Sequence, residues 1–134
     1  MFIRGSILLL CVLAAAEESD FARYRKQVEP VFLKSRRGAA RCVDCHALAS
    51  HNSLLRLQSL DGRKRWTPEQ SRKNYETVLK TINRAASLES RLLLHPLAED
   101  AGGDPFHTGG KFWRSKNDPE WKRLAAWAAS YRQN

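Results

Sequence analysis

The sequence predicts an all-α fold of about four helices in one small domain. Three observations carry that expectation. Apolar residues recur at three- and four-residue spacing near both ends and in the middle of the chain. Two segments open with a capping residue followed by proline. With 43% apolar and 28% charged residues over 134 positions, the chain is globular rather than disordered and too short for a large multi-site enzyme. Its formal charge of +9 points to acidic partners without naming them.

The first element belongs to transport. Residues 1–16 carry Arg4, a ten-residue apolar run from Ile7 to Ala16, and small residues Ala14 and Ala16, before Glu17-Glu18. This is the pattern of a secretory signal peptide cut after Ala16, and a run of this length is about half what a membrane span needs. Leu8-Leu9-Leu10 ahead of Cys11 lacks the small residue of a lipoprotein site. Cleavage leaves residues 17–134, a 118-residue chain of charge +8 that has lost Cys11 and Met1, the sequence's single methionine.

In the mature chain Phe21, Tyr24, Val28, Val31 and Phe32 form the apolar face of a first helix, bent or restarted at Pro30, whose ring removes a backbone donor. Gly38 is its expected C-cap. Residues 53–60 are too short and mixed for a helix and read as a short strand or an extended arm, which leaves room for one short strand pair. Thr67, Pro68 and Gln70 form a helix start with a capping box, followed by Tyr75, Val78, Leu79 and Ile82 on one face. Asp118 and Pro119 open the last helix, with Trp121, Leu124, Ala125 and Ala128 as its stripe and Trp127 and Tyr131 widening it. Its aromatic residues read as core or pocket wall rather than as an electron relay. No repeat or low-complexity tract interrupts the chain.

The chemistry lies in Cys42-Val43-Asp44-Cys45-His46. C-x-x-C-H is the attachment pattern of c-type haem: two thiols one helical turn apart add to the two vinyl groups, and the adjacent imidazole binds iron. A thioredoxin-like pair would need a strand leading into a helix. A structural zinc site would need Cys42, Cys45 and two of His46, His51, His95 and His107. Export and the pairing of the two remaining cysteines favour haem, and with both thiols spent on thioethers no disulfide is expected. One motif implies one haem, which also enlarges a core that so small a domain struggles to build alone; apoprotein is expected to fold poorly.

His46 is the expected proximal ligand. A distal methionine is excluded within the mature chain, which leaves His51, His95, His107, a lysine or an open position. His51 is too near His46 in sequence to reach the opposite face and reads as a solvated loop residue. His107 lies 61 residues downstream in Gly102-Gly103-Asp104-Pro105-Phe106-His107-Thr108-Gly109-Gly110, where glycines allow close backbone approach to a flat cofactor and Phe112-Trp113 add apolar surface. His107 is the first choice and His95, in Leu94-His95-Pro96, the alternative. Two imidazoles stabilise ferric iron more than imidazole with thioether does, whereas a peroxidase or small-ligand sensor needs an open or labile sixth site.

Val28-Glu29-Pro30-Val31-Phe32, the C-x-x-C-H run, Ser90-Arg91-Leu92-Leu93-Leu94-His95-Pro96-Leu97, Phe106-His107-Thr108-Gly109-Gly110, Asp118-Pro119-Glu120-Trp121 and Leu124-Ala125-Ala126-Trp127 together resemble the exported cytochrome c domains common in planctomycetes and acidobacteria, within the cytochrome c superfamily. The likeness covers nearly all of residues 21–131. It implies a small cytochrome c-like fold around one covalent haem, with the histidine before the glycines, His107, as second axial ligand.

The expected function is therefore a monohaem c-type cytochrome that carries single electrons in the periplasm or extracellular space and transforms no substrate. The competing readings are a haem peroxidase or sensor, and a haem-bearing subunit of a larger or self-associated assembly. The basic residues Arg36, Arg37 and Arg41 and the cluster Arg63-Lys64-Arg65 could steer an acidic redox partner, pair with haem propionates or simply be solvated. Steering predicts electron transfer that slows as salt rises. Nucleic acid is not an expected partner, since no binding motif is present, and no membrane span is expected after cleavage.

Overall fold

The computed structural model describes residues 4–50 and 52–131, with side-chain surroundings from residue 14 onward. It is helical. In chain order the described residues form α1 (Arg4–Gln27), α2 (Glu29–Leu33), α3 (Cys42–His46), α4 (Pro68–Leu79), α5 (Arg91–Leu94) and α6 (Pro119–Ser130), with short 3-10 turns at Ser87–Glu89 and Glu99–Ala101. The strand pair that the sequence left room for is not formed among them. Two isolated bridges, Arg36 with Ala39 and Leu97 with Trp113, are the β-type pairings present there.

Helix α1 runs without interruption through Ala16. Residues 14–19 are exposed, and the helix enters the core only at Asp20 and Phe21. Among the described residues no helix is long and apolar enough to cross a membrane. The helix is interrupted only at Val28, which keeps right-handed helical dihedrals (φ −99°, ψ −50°), and α2 starts at Glu29 because Pro30 can occupy a first-turn position where no backbone donor is needed. Gly38 does not cap this helix. The helix stops at Leu33, where Lys34 turns extended, and the Arg36 guanidinium takes up the Val31 and Lys34 carbonyls at 3.3 and 3.1 Å. Gly38, at φ +75°, instead shapes the tight turn that pairs Arg36 with Ala39.

The two predicted starts form as their residues require. Thr67 Oγ1 accepts from Gln70 N and the Gln70 side chain answers to Thr67 N, at 3.3 and 3.0 Å. Asp118 Oδ1 accepts from Glu120 N at 2.8 Å. Tyr75 and Val78 of the α4 stripe are buried, with Leu79 packed at the edge; Ile82 lies past the helix end at Leu79 and is buried there. Trp121, Leu124, Ala125, Trp127 and Ala128 of α6 are all buried.

Helices α1, α4 and α6 meet through aromatic rings. Tyr24 lies 5.2 Å from Tyr75 and 5.9 Å from Trp127, centroid to centroid, and the Tyr75 hydroxyl donates to Asp20 at 2.6 Å. Each buried ring removes about 150–250 Å² from water, so this corner anchors the fold. Residues 53–60 are the extended arm: Leu55 and Leu57 alternate inward, and Asn74 Oδ1 accepts from Gln58 N at 2.7 Å in place of a neighbouring strand.

Candidate functional site

Helix α3 with the segment after it and the segment between α5 and α6 face each other across a cavity of about 880 Å³, within the range of small-molecule and cofactor sites. Cys42, Cys45 and His46 line it from α3; His95, His107 and Phe112 line it from the segment between α5 and α6. A tight cap holds α3: Asp44 accepts from Arg41 N at 2.9 Å and from the Arg41 guanidinium at 2.6 Å. The extended arm then fixes the imidazole, since His46 Nδ1 lies 2.7 Å from Leu55 O and Leu57 N donates to His46 O at 3.0 Å. Nδ1–H donated to a carbonyl makes Nε2 the lone-pair nitrogen, the form a metal ligand needs.

The opposite wall is built the same way. The loop from Gly102 to Trp113 is pinned to the exit of α5 by Asp104 N to Leu94 O at 3.1 Å, Phe112 N to Pro96 O at 2.8 Å and Ala98 N to Trp113 O at 2.8 Å. Within it, His107 Nδ1 lies 2.5 Å from Gly110 O, while Gly110 N returns to His107 O at 3.1 Å. Gly109 packs so close that a Cβ there would sit 3.2 Å from His107 Cε1. Burial, reinforced by the neighbouring His95 and Lys111, depresses the His107 pKa below its ordinary value, which favours the neutral imidazole.

The His46 and His107 rings are 17° from parallel with centroids 6.4 Å apart. Two ring nitrogens, each about 2 Å from one ion on opposite sides, put their centroids about 6 Å apart, so the observed spacing leaves room for a metal between them. His95 also reaches the cavity, with its ring edge-on to His107 at 5.4 Å. Its Nδ1 is paired with Asp104 Oδ2 at 2.7 Å, and Lys111 Nζ donates to its carbonyl at 2.9 Å and to the Asp104 carbonyl. Asp104 is held below the ordinary carboxylate range: the cost of burial is outweighed by hydrogen bonds from His95 and Phe106 N and by the charges of His95 and Lys111. His51 lies outside the described residues.

Both thiols are half-buried. Burial pushes the Cys42 thiol up to about 11, against the opposing pull of the Arg36 guanidinium. Leu48, Leu54 and Phe106, three of the large apolar side chains left exposed, stand on the cavity rim at 54%, 54% and 74% exposure. An apolar rim, two thiols on one helical turn and two facing imidazoles fit a flat, apolar, metal-bearing macrocycle. For zinc the geometry is poorer: among the described residues no three His, Cys, Asp or Glu side chains gather as a ligand set. For a thioredoxin-like pair the strand leading into the helix is missing among the described residues.

Of the basic residues read as a docking surface, Arg36 does not belong to it. Its side chain is 13% exposed and its Nη2 lies 2.5 Å from Glu120 Oε2. Arg41 is engaged by Asp44; Arg37, Arg63, Lys64 and Arg65 are exposed. Sequence reasoning missed the partners that orient the rings. Leu55 O and Gly110 O are backbone atoms and leave no side-chain signal. Asp104, three residues before His107, was open to inspection as a polar group in the same loop. Comparison with protein-family models, with curated proteins and with solved structures returns no match.

Proposed function

We propose that the protein is an exported monohaem c-type cytochrome with a cytochrome c-like fold, carrying single electrons outside the cytoplasmic membrane. The observation that carries this reading is the pair of near-parallel imidazoles, His46 and His107, each with Nδ1 engaged by a backbone carbonyl, beside Cys42 and Cys45. The bound haem supplies a one-electron couple at its iron. Cys42 and Cys45 would tether it through their thiols, and His46 and His107, on opposite walls, would supply the two imidazoles that bind its iron. Leu55 O and Gly110 O hold the two rings in orientation, which would limit rearrangement when the bound group changes charge. Phe112 and the rim residues Leu48, Leu54 and Phe106 would offer apolar surface to a bound macrocycle.

The exposed Arg37 and Arg63–Arg65 cluster suits an acidic redox partner met in solution or within a larger assembly. A second reading, a peroxidase or small-ligand sensor, draws on one observation: the His95–Asp104 pair beside His107 is placed to hold a proton near a ligand that displaces His107.

The test is the absorption spectrum of the purified mature protein, oxidised and reduced, with and without carbon monoxide, alongside His107→Ala. Electron transfer with two histidine ligands requires a c-type, low-spin spectrum indifferent to carbon monoxide in the parent, and a high-spin, reactive variant. A parent already high-spin and reactive would move the assignment to catalysis or sensing. A matured preparation without haem would remove both.

A further inference from the structure

Behind the Phe112 side of the cavity lies an ion pair that no part of the proposed electron transfer uses. Arg36 enters it from the segment between α2 and α3. Its Nη2 lies 2.5 Å from Glu120 Oε2 in the first turn of α6 and 3.3 Å from Val31 O, and its Nη1 lies 3.1 Å from Lys34 O. Glu120, 8% exposed, also meets Lys34 Nζ at 2.5 Å and Trp113 Nε1 at 3.1 Å. The guanidinium carbon stands 4.9 Å from the Phe112 ring centroid, and the Phe112 ring meets His107 edge-on at 5.4 Å. Val31 O, which accepts from Arg36, is also the carbonyl facing Cys42 Sγ at 4.0 Å. One planar fork thus touches α6, the end of α2 and the aromatic ring against His107, next to the first thiol.

A surface pair would be worth little. A fork that is nearly enclosed, charged on one edge and stacked on an aromatic face is directional, and lysine cannot reproduce it. Because α6 is anchored by Trp121, Leu124 and Trp127 in the core, Arg36 fixed to Glu120 is fixed to the rigid part of the molecule. Phe112, pressed between that guanidinium and His107, then has one place to sit.

We propose that Arg36, held by Glu120, is the positioning residue that sets His107 opposite His46 through the Phe112 ring. The proposal rests on the haem reading above. In the holoprotein, Arg36→Lys and Glu120→Gln should each raise the high-spin ferric fraction and speed carbon monoxide binding at least several-fold. Phe112→Leu, which leaves the ion pair whole and removes only the ring, should do the same. Lys34→Ala, which removes the more exposed of Glu120's two cations, should leave the spin state unchanged. If Phe112→Leu and Glu120→Gln both fold and stay low-spin and inert to carbon monoxide, Arg36 only supports the fold and the proposal fails. If the parent holds no haem or is already high-spin, the haem reading or its ligand assignment fails instead, and the proposal with it. Loss of folding in Arg36→Lys alone leaves the decision to the other two variants.

Discussion

Replacing Gly103 with alanine is expected to unseat His107 while leaving the helical core assembled. A Cβ at that position would fall 1.9 Å from Leu97 O, 2.6 Å from the Leu97 carbonyl carbon and 2.9 Å from Leu94 O. These are backbone atoms of α5 and its exit, beside the fully buried Leu93 and Leu97, and none can rotate away. Restoring ordinary van der Waals contact of at least 3.4 Å requires a separation of about 1.5 Å. The loop must move, because its other side faces solvent at Pro105, Phe106 and Thr108. That motion stretches Gly103 N to Ala98 O and Asp104 N to Leu94 O, now 3.0 and 3.1 Å. Each such bond contributes about 1 kcal/mol, and overpacking costs about 1–3 kcal/mol, so the expected destabilisation is about 3–5 kcal/mol. A functional side chain has to be held within about 0.5 Å of its working position, and the displacement is about three times that. The assay is the ferric absorption spectrum and carbon monoxide binding of the Gly103→Ala holoprotein, with a circular dichroism melt. The expected result is a high-spin, carbon monoxide-binding protein that still melts cooperatively at a lower temperature. A low-spin, inert protein with the parent's melting temperature would refute the reasoning.

Two further outcomes are expected. Glu120 is buried, which pushes its carboxyl up, but hydrogen bonds from Lys34, Arg36 and Trp113 outweigh that and hold it below its ordinary value of 4.5. A depressed folded pKa contributes stability that is complete above the unfolded value and lost as pH falls through the folded one. The gap in stability between the parent and Glu120→Gln, about 1.5–3 kcal/mol near neutrality, should therefore hold steady above the ordinary carboxyl value of 4.5 and narrow as the pH falls below it. Thermal melts across that range check it, and a gap that does not narrow in acid would contradict it. If the proposed haem packs against the wall of the 880 Å³ cavity, the Cys42→Ala, Cys45→Ala chain should lose much of its helical circular dichroism; full helix content would overturn that.

Much of this protein was determined locally. The capping residues Thr67 and Asp118, the proline after each, and the three-and-four spacing of Tyr75, Val78, Trp121 and Leu124 act within one or two helical turns, so the helices they open could be read directly. The same holds for Cys42, Cys45 and His46, whose relation is set by a single turn of helix. The glycine-flanked loop around His107 was legible as a place of close backbone approach. Which glycine matters was not: Gly103 and Gly109 are the crowded ones, and only folded neighbours crowd them. Gly38 was misread for a related reason, since the helix end is decided by a guanidinium two residues before it that reaches back to Val31 and Lys34.

Tertiary structure alone decided the rest. Arg36 looks in sequence like one of several solvated cations, and becomes nearly enclosed because Glu120, 84 residues away, closes on it. Leu55 O and Gly110 O orient the two imidazoles, yet a carbonyl is the same in every residue and acquires a role only from where the chain carries it. The spacing of His46 and His107 depends on two loops meeting across a cavity, a relation between distant backbones that no local pattern encodes.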